Sequence, residues 1–218
     1  DDSLLPVDPE DQIYGVKSRL IEKKERISTS LSYGFTANDE FLVSHNTKID
    51  LGYYVMEDLE IFLSGIYCIS NQRTFNYDKA ISLVSQDKSL SPLVAELKYA
   101  LSIGARYSLI YGKVKGLFGK LWYLDSYLAI APTILETESF GNYRSPSNKN
   151  GGQKFGGLGQ IGLRFLTTQH LNWGLNVSLL VYNESYEADN GFYGSSNAKT
   201  VKEMRKLLHP ELFVGWIF

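Results

Sequence analysis

From Leu171 to Tyr182 the chain alternates without a break: Leu171, Trp173, Leu175, Val177, Leu179 and Val181 on one parity, Asn172, Gly174, Asn176, Ser178, Leu180 and Tyr182 on the other. A period of two fits an extended strand with two unlike faces, because a helix would scatter both sets around its surface. The pattern recurs along the sequence, at about 27–36, 43–55, 59–70, 97–108, 121–135, 155–166 and 209–218, ending on the last residue. Eight such segments of roughly 10 residues predict an all-β fold, an eight-stranded antiparallel up-and-down transmembrane barrel over residues 26–218, since a closed barrel leaves no unpaired edge. Residues 1–25 carry Pro6, Pro9 and the run Glu22, Lys23, Lys24, Glu25, and read as a periplasmic lead-in.

The character of the two faces decides which side meets solvent. One parity is almost free of charge and holds Trp122, Trp173 and Trp216; the other carries Lys48, Asp50, Glu60, Lys98, Arg106, Asp125, Arg164 and Glu211 among glycines and serines. A soluble eight-stranded barrel turns its apolar face inward, but here three tryptophans and long aliphatic rows would overfill so small a lumen. With the apolar face outward in lipid, the charges face the lumen. They are then expected to pair as a network, since a buried unpaired ion costs several kcal/mol.

Composition closes several alternatives. No stretch of 18 apolar residues exists, so no helix is long and apolar enough to cross a membrane. The net charge of −2 offers no electrostatic footprint for nucleic acid. With Cys68 the single cysteine, an internal disulfide and a CxxC metal site are both excluded. The abundance of Tyr (15), Phe (11) and Gly (19) favours strands and turns. The start at Asp1, without Met, is what removal of a secretory signal would leave.

Connection lengths orient the barrel. Those near 56–58 and 167–170 are short, whereas those near 72–94, 136–154 and 185–206 are long and polar, which predicts short periplasmic turns, long outer loops and both termini in the periplasm. The brief outer connection near 38–40 and the Gly- and Lys-rich inner connection near 109–120 depart from that rule. Within the second loop, Tyr77–Val84 has the spacing of a short amphipathic helix over the mouth.

The ending Leu212-Phe213-Val214-Gly215-Trp216-Ile217-Phe218 resembles the C-terminal signal of outer-membrane barrels. Leu212, Val214, Trp216 and Phe218 would carry it, with glycine at 215 rather than at 213. That resemblance implies the barrel-assembly machinery as a partner during biogenesis. The segments KYALSIGARYSLIYGKVKGLFGK, DSYLAIAP and GQIGLRF resemble a family of small outer-membrane β-barrel domain proteins of myxobacterial and predatory Gram-negative bacteria, with eight strands as in OmpA-type barrels. The resemblance spans most of 11–218 and implies fold and location, with no catalytic motif.

The expected role is structural or interactive: anchoring outer loops, organising outer-membrane lipids, or forming a homo-oligomer, ring-like in one version. Gly157 and Gly159 near Ser126 are the expected floor of a shallow groove on the apolar face, since small residues allow close approach. An open pore is not expected, because an eight-stranded lumen is just wide enough for its own side chains. The alternative is a lipid-modifying enzyme or protease at the outer rim, with His45 as base near Ser44, Ser70 and Glu96, but no diagnostic spacing supports it. His45, His170 and His209 fall in separate places, so no metal or other cofactor is expected.

Overall fold

The structure, a computed structural model, describes residues 22–39, 42–73, 94–115, 121–140, 149–188 and 199–218. Eight strands, β1 (Ile27–Phe35), β2 (Leu42–Tyr54), β3 (Leu59–Arg73), β4 (Val94–Lys115), β5 (Leu121–Phe140), β6 (Lys149–Leu166), β7 (Leu171–Ala188) and β8 (Lys199–Ile217), form one closed barrel in chain order. Every neighbouring pair is antiparallel, and β8 closes on β1 from Ser28↔Ile217 to Gly34↔Glu211. Closure satisfies the backbone groups that an open sheet would leave exposed at its edges. The described chain ends and the turns at 55–58 and 167–170 share one mouth, called here the terminal mouth; the opposite one is the loop mouth.

Alternation appears as expected in burial. Along β7, Asn172, Gly174, Asn176, Ser178, Leu180 and Tyr182 are buried, while Leu175, Val177 and Leu179 are exposed on the outer face. Trp122, Phe165 and Trp173 cluster on that face near the terminal mouth, with ring centroids 4.8–6.2 Å apart, and His170 stacks on Trp216 at 5.6 Å.

The strands run further toward the loop mouth than the alternation predicts. β4 begins at Val94 rather than near 97, β6 begins at Lys149, β7 reaches Ala188 and β8 starts at Lys199. In these extensions polar residues occupy both parities, as in Lys199-Thr-Val-Lys-Glu-Met-Arg-Lys, so no period-two signal marks them. The expected inner connection at 109–120 is likewise strand as far as Lys115. Residues 74–93, including Tyr77–Val84, lie outside the described residues.

Toward the loop mouth the barrel divides along three seams. The β3–β4 ladder stops at Tyr67↔Tyr99, the β6–β7 ladder at Gly156↔Tyr182 and the β1–β8 ladder at Gly34↔Glu211, although each strand continues with its other neighbour. Side chains bridge each seam. Asn71 Nδ2 donates to Glu96 Oε2 (2.9 Å), Lys154 pairs with Glu184, and Asn38 stands in for a strand residue, donating to Lys206 O and accepting from the Leu208 N–H, each at 2.7 Å.

Candidate functional site

Among the described residues the lumen carries an apolar layer on the loop side of an ionic one. In the apolar layer Leu97, Leu135, Leu158, Leu180 and Leu207 pack on Phe62, Ile66 and Tyr182, and the polar cluster of Lys154, Glu184 and Thr137 lies beyond it at the loop mouth. Nearer the terminal mouth the lumen is ionic. Lys23, Lys48, Arg106 and Arg164 are all buried there, as are Asp50, Glu60, Asp125 and Glu211, so four cations face four carboxylates.

Three of these cations alternate with aromatic rings in one column along the lumen. Arg106 lies between the rings of Phe62 (4.7 Å) and Tyr127 (4.9 Å), and Arg164 between Tyr127 (5.2 Å) and Tyr54 (5.8 Å). Lys23 Nζ follows between Tyr54 (5.4 Å) and Tyr111 (5.7 Å). Each cation is thus desolvated against ring faces that carry negative quadrupole density. The room for Tyr127 comes from β6: a Cβ at Gly162 would lie 2.4 Å from the Tyr127 ring, so the arginine-bracketed ring requires glycine there.

Carboxylates close the column from the side. Glu60 accepts from Arg106 Nη1 with both oxygens (3.1 Å each), from Arg164 Nη2 (3.2 Å) and from Ser28 Oγ (2.5 Å). Asp50 accepts from Arg106 Nη2 at 3.0 Å. Arg164 also donates to the Tyr54 hydroxyl and has Asp125 Oδ2 at 3.9 Å. A separate pair, Lys48 with Glu211, lies between the column and His209, whose Nδ1 accepts from Asn46 Nδ2 at 2.9 Å. A polar void of about 10 Å³ remains beside Arg106 and Arg164, the space of about one water molecule.

Lys23 is a site residue that sequence reasoning placed in the lead-in. Its side chain is 0% exposed, its Nζ donates to Asp125 Oδ2 (2.7 Å) and Ser108 Oγ (3.3 Å), and its backbone is held from outside by Glu57. Glu25 at φ 62° turns the chain back into β1, with its N–H on Tyr54 O at 2.8 Å. Burial pulls the Lys23 ammonium below the usual lysine range, against the Asp125 carboxylate, which raises it. No period or motif marks a lone inward lysine in a polar run; its only trace in the sequence is one more acid than base among the partners predicted on β2, β3, β4, β5, β6 and β8 once Lys98 is removed.

Lys98 is a correction: it is not in the lumen. A bulge between Leu97 and Tyr99 puts Leu97 in the inward position and leaves Lys98 beside the ladder, 43% exposed and paired with Glu138 at 2.6 Å. The bulge between Ser108 and Ile110 acts likewise, turning Tyr111 inward opposite Asp125 and leaving Leu109 and Ile110 both exposed. The groove composition is also corrected. Gly157 and Gly159 stand opposite Pro132 and Ile130, whereas Ser126 stands opposite Leu163, nearer the terminal mouth.

Of the enzyme candidates only His45 and Ser70 meet, as cross-strand partners in the β2–β3 ladder, and neither Ser44 nor Glu96 joins them. Ser44 is buried and donates to Asn71 Oδ1 (2.6 Å), while His45, on the other face of β2, meets the Tyr33 hydroxyl at 2.9 Å and stacks on that ring. Ser70 is exposed in β3, and Glu96 binds Asn71. His170 is in a turn and His209 in the lumen; among the described residues no group of three His, Cys, Asp or Glu could hold a metal ion. Leu212, Val214, Trp216 and Phe218 are exposed on the outer face of the closing strand.

No family model matches the sequence, and no curated protein does. Solved structures do match the fold. The N-terminal β-barrel domain of Pseudomonas aeruginosa OprF aligns over 89% of this chain and 98% of that one, at 12% identity and TM-score 0.51. The outer membrane protein OprG of the same organism aligns over 91% and 98%, at 9% identity and TM-score 0.50. The fold is that of small outer-membrane β-barrels.

Proposed function

We propose that the chain is an integral bacterial outer-membrane protein with both termini periplasmic, serving as a closed structural or interaction barrel rather than a pore. The observation that carries this reading is the inverted distribution of charge. Paired ions fill the terminal half of the lumen, while the outer face presents Leu31, Ile49, Ile103, Ile161 and Val214 to the surroundings. On β8 the apolar outer row runs from Leu208 to Phe218, a span of about 25 Å at usual strand rise and tilt, which suits a hydrocarbon core. The tryptophan cluster at the terminal mouth suits one lipid–water interface.

The stacked cations and the leucine layer support a lumen closed to solute, and the C-terminal row supports delivery by the barrel-assembly machinery. Gly157 and Gly159, with open space where a Cβ would be and exposed Ile130 and Phe155 beside them, form a trough in the outer belt. It suits packing against acyl chains or a second copy, and so supports lipid organisation and a homo-oligomer, ring-like if the contact is head-to-tail. Reconstitution tests the whole. The folded protein should require detergent or lipid to stay dispersed and should show no steady conductance in planar bilayers. A monodisperse folded chain in plain buffer refutes the membrane reading, and porin-sized currents refute the closed lumen.

A further inference from the structure

We propose that the terminal mouth is a binding site for a primary alkylammonium, filled by the chain's own Lys23 and open to a free alkylamine once that side chain is removed. Four groups build it: the Asp125 carboxylate at 2.7 Å from Nζ, the Ser108 hydroxyl at 3.3 Å, and the rings of Tyr54 and Tyr111 at 5.4 and 5.7 Å. A carboxylate with aromatic faces around a cation is the chemistry by which proteins hold ammonium ligands. Here two oxygens require N–H donors, which a primary ammonium has and a quaternary one lacks.

Two observations point to a ligand rather than an ordinary core ion pair. The ammonium comes from a chain segment outside the barrel ladder, tethered by Glu57 oxygens to the N–H groups of Lys23 (3.1 Å) and Lys24 (3.0 Å) at the rim. The barrel also shapes itself around that ammonium. The bulge at Ser108/Ile110 reverses the parity of β4 and brings Tyr111 inward to complete the cage, opposite the residue that binds Nζ. Guanidinium is a poor substitute, because Arg164 already stands 3.9 Å from the same Asp125 oxygen and its planar bulk occupies the inner side.

The test uses the full chain refolded in detergent with Lys23→Ala, which removes three side-chain carbons and the ammonium, the atoms that n-propylammonium supplies. The variant is expected to melt below the parent, and added n-propylammonium to raise its Tm saturably. Tetramethylammonium and n-propanol should not, and the parent, with its site filled, should not respond. Adding Asp125→Asn to Lys23→Ala should abolish the rise. Equal shifts in parent and variant, or a rise that survives Asp125→Asn, overturn the proposal. If Lys23→Ala does not fold, amine acylation of the parent decides. Lys23 should react at least about tenfold more slowly than exposed Lys24, since only opening of the arm uncovers it, and equal rates overturn the site.

Discussion

Replacing Glu60 by glutamine keeps the volume of the side chain and removes the charge on which two arginines converge. Glu60 takes both Arg106 Nη1 contacts, the Arg164 Nη2 contact and the Ser28 hydroxyl. With it neutral, Arg106 retains Asp50 at 3.0 Å, but the nearest remaining carboxylate oxygen to Arg164 is Asp125 Oδ2 at 3.9 Å, which Lys23 already engages. Breaking a buried pair from one side costs about 3–5 kcal/mol because the abandoned charge stays desolvated. Losing the charge of a shared acceptor belongs in that range, roughly a hundredfold or more in the folding equilibrium. Urea titration of the barrel in lipid vesicles, followed by tryptophan fluorescence, measures it. Ser28→Ala, which removes one hydrogen bond to the same carboxylate, should cost only about 1.5–3 kcal/mol. A Glu60→Gln barrel within about 0.5 kcal/mol of the parent, well below any buried-pair cost, would refute the claim that the column depends on this acid.

Gly162→Ala forces a Cβ to 2.4 Å from a Tyr127 ring held between two guanidinium groups, and should cost about 1–3 kcal/mol by overpacking. Gly157→Ala meets nothing within 4 Å and should be close to neutral in the same titration; reversal of that order would contradict the packing. Leu175→Arg places a charge in the middle of the outer apolar row, opposite Leu163 and Leu212. It should lower folded stability in vesicles by about 2–4 kcal/mol, and an unchanged midpoint would argue that the face meets water.

The barrel itself was legible because strands with one face enclosed in the lumen and the other exposed carry opposite chemistry on alternate residues, as in Leu171–Tyr182. Most of the ionic layer was legible too, since Lys48, Asp50, Glu60, Arg106, Asp125, Arg164 and Glu211 all fall on the inward parity and are buried. Lys98 shares that parity in sequence but not in space, because one extra residue in a ladder reverses which side every later residue faces. Sequence carries no sign of such a residue at 98 or 109. The strand extensions were illegible for a different reason: where both faces are polar, period two leaves no trace.

Sequence by itself determined the strand pattern, the apolar and ionic faces and the closing C-terminal row, because these are local properties repeated every second residue. The tertiary structure decided which ions meet. Arg106, Tyr127, Arg164, Tyr54 and Lys23 come from β4, β5, β6, β2 and the segment before β1, and they stack only because closure at this register brings five parts of the chain to one axis. Coulomb and cation–ring energies fall with distance in space rather than along the chain. The partner of Asp125 could therefore be known only when the chain was seen to bring Lys23 back into the lumen.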